Sequence, residues 1–274
     1  CAVVASLDDT TLTIAARTPA GVVGDQRTIV PRELASLAIV PRRIVDALAS
    51  CDEIAVAARP PLHGRADLLP AELPWWFAGD VASPSASIGP RFAVEVTSPQ
   101  PPDTSLPALP DPGPSRVGFD RSLSGAEATP SRVLAALGQA TYMELHAHGI
   151  VSLADDDAAF LALSPDRDGT YTLRARDLRT ARLAHAPVVV LAACRAATVA
   201  PSFATRWSLP DALLFAGARA VIGVDVPVPD AGARAVFDEL HRRLDAGEPV
   251  HTALAALRAA APAGAWQRRL MLFR

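Results

Sequence analysis

Short apolar runs separated by polar turns open the chain. CAVVASL, TLTIAAR and GVVGDQRTIV read as half-buried strands, with Gly21 and Gly24 supplying the turns, and predict a small antiparallel meander. From Pro31 onward Leu34, Leu37, Ile44, Val45 and Leu48 recur at helical spacing, which predicts a helix through Ala49; DEIAVAA at 52–58 then reads as a buried strand. Residues 97–114, TSPQPPDTSLPALPDPGP, are too rich in Pro for helix or inner strand and predict a loop or linker. Beyond it strand and helix alternate: a helix at 130–137, a run ending at His148, a strand at 159–163, a hairpin-like piece at 171–173 and a helix at 175–184. A run ending at Cys194, a helix at 211–216, a strand at 219–224 and amphipathic helices at 230–244 and 250–260 complete the pattern. Such alternation predicts an α/β fold with a mainly parallel sheet between helices over 116–274, preceded by a smaller α/β region at 1–96 and a linker at 97–115.

Composition narrows the function. The chain has 274 residues, half of them hydrophobic, enough for a large core. A net charge of -3 and a pI near 6.1 argue against nucleic acid or an anionic membrane as direct partner, and all 26 basic residues are Arg without a basic run. Since no apolar stretch reaches the ~18 residues of a membrane span, a cytoplasmic protein is expected. Three cysteines, Cys1, Cys51 and Cys194, form an odd set at wide spacing and read as free thiols. A chain opening on Cys1 rather than Met is expected to be part of something longer, with any sensor domain upstream.

The chemistry gathers at two strand ends. ATYMELHAHG ends near His148 and VVVLAAC ends at Cys194, so neighbouring parallel strands would deliver both to the carboxyl edge of one sheet. A thiol becomes a strong nucleophile once an imidazole takes its proton, and the same imidazole can protonate a leaving amine. Gly149 removes a side chain where a substrate carbonyl approaches, and its N–H together with that of Cys194 is expected to form an oxyanion hole. His146 falls on the same strand face as His148, but two histidines fall short of a zinc ligand set, so no metal and no cofactor are expected. His63 reads as structural, and His185, His241 and His251 as solvated.

These runs carry a family resemblance. LHAHG, VVVLAACRAA, AGARAVIGVDVPVPD at 216–230 and ALAALRAA from Ala253 together resemble the CHAT family of caspase-like cysteine peptidases, related to separases and gingipains. IAVAARPPLHGRADLLPAEL at 54–73 resembles the segment upstream of the family's catalytic part, and AWQRRLMLF its terminal strand, with Trp266 and Phe273 at matching places. The resemblance implies a caspase-like fold with an N-terminal CHAT subdomain, His148 as general base and Cys194 as nucleophile. It also implies cleavage after Arg or Lys, with recognising acids in the turn VDVPVPD, where Asp225 and Asp230 lie. Asp230 would alternatively serve as a helix N-cap, and Asp155, Asp156 and Asp157 are further acids for the pocket rim. Arg195 stands where the family often has Glu, Ala192 and Ala193 replace Ser-Ala, and Val226 replaces a Trp. The expected partners are a protein or peptide substrate and an upstream sensor or activating partner, in a bacterial defence or signalling system. The other reading is a catalytically silent interaction module in which Cys194 is only a core residue.

Overall fold

The computed structural model describes residues 1–274 except 30–38, 80–89, 110–115, 152–158 and 200–207, with the backbone alone at Asp230 and Ala231. The N-terminal meander is as the alternation predicts. Strands β1 (Ala2–Asp8), β2 (Thr11–Thr18) and β3 (Gly21–Thr28) pair antiparallel, and Val3, Ala5, Leu12, Ile14 and Ala16 are buried at every second position. Helix α1 (Arg42–Leu48) buries Ile44 and Leu48; the expected start of this helix at Pro31 lies outside the described residues. Strand β4 (Ile54–Ala58) then runs parallel to β1.

Cys1 and Cys51 form a disulfide with Cα atoms 6.0 Å apart, which corrects the reading of three free thiols; Cys194 is the free one. Wide sequence spacing misled because β1 and β4 are neighbours, so the residues preceding them arrive together.

Three strands have little sequence signature. β5 (Trp75–Phe77) has three residues, β6 (Ala93–Thr97) carries Glu95 in the middle of an apolar run, and β7 (Arg121–Ser124) is mostly polar. Helix α2 (Pro130–Leu137) follows, with the Thr129 hydroxyl accepting from the Arg132 N–H and Pro130 in its first turn. Then come β8 (Tyr142–His146), β9 (His148–Val151), β10 (Ala159–Ala162), β11 (Thr172–Arg174), α3 (Ala175–Arg179) and β12 (Val188–Ala192). The chain ends through α4 (Leu209–Ala216), β13 (Ala220–Val224), α5 (Asp230–Asp245), α6 (Val250–Ala260) and β14 (Leu270–Phe273).

Among the described residues, eleven strands form one mixed sheet in the order β3-β2-β1-β4-β5-β14-β13-β12-β8-β6-β7, and β11-β10-β9 form a small second sheet. The large sheet therefore joins the expected regions 1–96 and 116–274 through the β5–β14 pair, where Phe77 and Phe273 stack at 5.5 Å. The expected boundary after residue 96 also shifts, because β6 pairs with β8 and β7 and so belongs to the later region. Helices cover both faces. Val189 and Leu191 of β12 pack in the cluster that includes α2, α3 and α4, while Val188 and Val190 pack with Phe237 and Leu240 of α5 and Leu254 of α6. Strands buried on both faces explain the nearly unbroken apolar runs that made β8, β12 and β13 legible.

Candidate active site

β8 and β12 are adjacent and parallel, with His146 opposite Ala192. Two residues further on, both chains have left the same edge of the sheet, and His148 and Cys194 line one cavity of about 140 Å³ with Thr97, Arg116, His146 and Val228. The two side chains that the sequence separates are thus brought together at the carboxyl ends of neighbouring strands, as open α/β sheets do with their ligand sites.

Gly149 is required by a close approach of backbone to backbone. A methyl built on it would lie 1.9 Å from the Cys194 carbonyl oxygen and 3.3 Å from the Cys194 nitrogen. No L side chain fits there without moving the Cys194 main chain. The glycine thus serves the thiol's own backbone, a reason distinct from the expected room for a substrate carbonyl.

Each partner of the pair is oriented by a main-chain group. Nε2 of His148 lies 2.7 Å from the carbonyl oxygen of Pro107, which can only accept, so in the neutral ring the proton sits on Nε2 and Nδ1 carries the lone pair. Cys194 is half-buried, and the Val228 N–H donates to its Sγ at 3.2 Å, setting a dipole where negative charge appears when the thiol proton leaves. The turn after Cys194 is held by hydrogen bonds from Arg195 N to Val226 O at 3.0 Å and from Ala197 N to Val224 O at 2.9 Å. Arg195 has φ 54°, a left-handed conformation that side chains other than Gly rarely adopt and that costs about 1–2 kcal/mol.

Beside the pair lies a charge cluster that the sequence reading did not single out. Glu144 on β8 is fully buried; its Oε2 accepts from the Tyr142 hydroxyl at 2.9 Å and its Oε1 lies 2.5 Å from Nε2 of His146 and against the Arg116 guanidinium. Burial alone would raise the Glu144 carboxyl, but His146 first and then Arg116, by charge and hydrogen bonding, hold it at about 2. His146 is therefore committed to a carboxylate and packs edge-on to Phe237 at 5.7 Å, while His148 begins a strand of the other sheet. One signal could have exposed the cluster: AVEVT and YMELH each place a single Glu in a run otherwise fit for burial, and buried carboxylates require partners.

Of the expected substrate acids, Asp225 is the one whose side chain is described. Asp225 has both carboxylate oxygens taken by Arg269, one at 2.8 Å, and does not line the cavity. Asp230 is the first residue of α5, with Pro229 at the cap position, and its side chain lies outside the described atoms, as do Asp155, Asp156 and Asp157 altogether. His63 is structural as expected, edge-on to Phe77 at 4.9 Å and 3.6 Å from Asp211. His241 is a correction: it is 6 % exposed and stacks on Phe119 at 4.4 Å, because the amphipathic face of α5 that carries it points to the sheet, and that burial depresses its pKa. His251 is half-buried beside Glu53 at 3.4 Å and its pKa is likewise lowered by burial, while His185 is half-buried.

A mixed, mostly parallel sheet flanked by helices, with a thiol and an imidazole at adjacent strand ends, is the architecture of the caspase-like cysteine peptidases. The CHAT domain family profile matches residues 106–265, more than half of the chain, and the protein belongs to that family. No curated protein matches the chain by sequence. Among solved structures it is similar to the Arg-specific cysteine proteinase gingipain R, at 10 % identity and a TM-score of 0.52 over 89 % of this chain and 69 % of that one. It is equally similar to the complex of the pro- and mature domains of that proteinase from Porphyromonas gingivalis, with a TM-score of 0.54, 10 % identity and coverage of 90 % and 71 %. The separase of the Saccharomyces cerevisiae separase–securin complex matches at a TM-score of 0.49 and 10 % identity over 81 % of this chain and 15 % of that one.

Proposed function

We propose that the protein is a cysteine endopeptidase in which Cys194 attacks the scissile carbonyl and His148 is the general base. The observation that carries this reading is that both side chains line one cavity, with the His148 tautomer set by Pro107 and a donor from Val228 against Sγ. Nδ1 of His148 takes the thiol proton as the C–S bond forms, and the carbonyl oxygen becomes an oxyanion toward the N–H groups of Gly149 and Cys194. Collapse breaks the C–N bond, and the imidazolium returns its proton to the leaving amine. Water, deprotonated by the same nitrogen, then cleaves the thioester to release the acid and restore the thiol.

The residue before the scissile bond is basic in this reading, Arg or Lys, as the family resemblance implies and as the name of the Arg-specific proteinase of similar fold suggests. The setting proposed is an effector of a bacterial defence or signalling system, under the control of an upstream domain or a partner, and in the cytoplasm. Among the described residues no helix is long and apolar enough to cross a membrane. The Cys1–Cys51 disulfide bears on the compartment, because reducing cytosol seldom tolerates such bonds.

Fluorogenic peptides ending in Arg, Lys, Asp or Leu decide the reaction and its preference together. Release from Arg or Lys peptides that disappears in Cys194→Ala supports the proposal. Faster release from Asp peptides contradicts the basic preference, and release that survives Cys194→Ala contradicts the nucleophile.

A further inference from the structure

Arg116 has an unusual place for a guanidinium: it lines the cavity of His148 and Cys194, its side chain is only 8 % exposed, and three carboxylates surround it. Its Nη1 pairs with Glu144, its Nη2 pairs with Asp238 of α5, and Glu95 stands 4.0 Å away. Glu95 and Glu144 are opposite one another on parallel strands, so their side chains share one face of the sheet. Two buried carboxylates in direct register repel unless a cation lies between them.

One guanidinium does not fill this nest. Oε2 of Glu95, a residue 1 % exposed, has no hydrogen-bond partner. Oγ1 of Thr97, two residues along on the same face and part of the cavity lining, also has none. Buried acceptors left without donors beside a cavity are capacity for a ligand that brings donors. A guanidinium or ammonium does so and supplies the missing positive charge.

We infer that Glu95 and Glu144 form the floor of the pocket that receives the basic side chain of the substrate, and that Arg116 is the chain's own occupant of that pocket. This deepens the peptidase reading and rests on it. The substrate's Arg or Lys enters when Arg116 leaves, so the protein as described is self-occupied, and whatever draws away the segment bearing Arg116 activates it. The acids of this inference are thus on β6 and β8, whereas Asp225 of the turn after β13 is paired with Arg269.

The test uses the full chain as wild type, Arg116→Ala and Asp238→Asn, with Cys194→Ala as blank. Covalent labelling of Cys194 by arginyl and leucyl chloromethylketones is followed by intact mass. Removing the occupant is expected to speed arginyl labelling about tenfold or more while leucyl labelling changes less than about threefold. Ethylguanidinium is expected to raise the melting temperature of Arg116→Ala, slow its arginyl labelling, and leave the wild-type melting temperature unchanged. Equal acceleration of both reagents, or no effect of ethylguanidinium on a folded Arg116→Ala, overturns the inference. Where Arg116→Ala does not fold, Asp238→Asn decides: it releases one side of the guanidinium at a half-exposed carboxylate, and unchanged arginyl labelling there overturns the inference. Failure of the peptidase reading looks different: neither chloromethylketone labels any variant although iodoacetamide labels Cys194, while the melting shift with ethylguanidinium still reports on the nest.

Discussion

Single residues carry the strictest constraints, and Gly149 the strictest of all. Its Cα is so close to the Cys194 carbonyl that Gly149→Ala must move the nucleophile's main chain. Displacement of a reacting group by about 1 Å costs on the order of a hundredfold in rate, and that drop in Cys194 labelling by an arginyl chloromethylketone is expected for the variant, with its circular dichroism retained. Glu144 makes a second residue-scale prediction. Its carboxyl is held at about 2 in the folded protein against an ordinary value of 4.5, so the stability it supplies is complete above pH 4.5 and is lost as pH falls toward 2. The loss amounts to about 3 kcal/mol, and Glu144→Gln is expected to flatten the acid limb of a urea-denaturation profile. A limb of equal steepness in both proteins contradicts the role given to this carboxylate. His148, Gly149 and Cys194 were legible in the sequence because reactive or minimal side chains end conspicuous apolar runs. Pro107, Val228 and Arg116 were not, because two act through the main chain and the third enters from a segment 28 residues before its partner on β8.

At the scale of elements, parallel strands buried on both faces announce themselves, and short or charged ones do not. β8, β12 and β13 were read from nearly continuous hydrophobic runs, and α2 from its apolar spacing and Pro130. β5 is three residues long and β6 hides a buried carboxylate, so each lacks the pattern that strand reading depends on, although β5 closes the sheet between the two regions. Arg258 of α6 supports that closure. It is fully buried, donates to the carbonyl oxygens of Leu73 at 2.8 Å and Leu270 at 3.4 Å, and lies over the Trp75 ring at 5.1 Å. Burial lowers its pKa to about 10. Arg258→Ala would orphan two buried carbonyls and leave a void, and a loss of about 3 kcal/mol in urea unfolding is expected. A change within the error of the measurement contradicts its place as the tie between α6, β14 and the segment leading into β5.

For the whole molecule, one eleven-stranded sheet among the described residues takes strands from both expected regions, which the sequence did not show because local patterns predict elements and leave open which edges pair across a long connection. The Cys1–Cys51 bond belongs to this scale, tying the first residue to the turn before β4 across 50 residues. Reduction of a loop of that length is expected to cost up to about 4 kcal/mol, read as a lower melting temperature that Cys51→Ala reproduces. Alkylation without reductant then counts compartments: one modified thiol, Cys194, where the bond stands, and three in protein taken from a reducing cytosol. The chain belongs to the CHAT family and shares its fold with gingipain R; the joint action of one thiol and one imidazole at the sheet edge decides whether the proposed chemistry is present.

Intact-mass kinetics of Cys194 modification by an arginyl chloromethylketone across pH, in the wild type and in His148→Ala, test that joint action most directly. The account predicts a single adduct on Cys194 in the wild type, none in Cys194→Ala, and labelling slowed about a hundredfold in His148→Ala with an altered pH dependence. Equal rates and equal pH profiles in the wild type and His148→Ala would show that the imidazole at the end of one strand does not serve the sulfur at the end of the next.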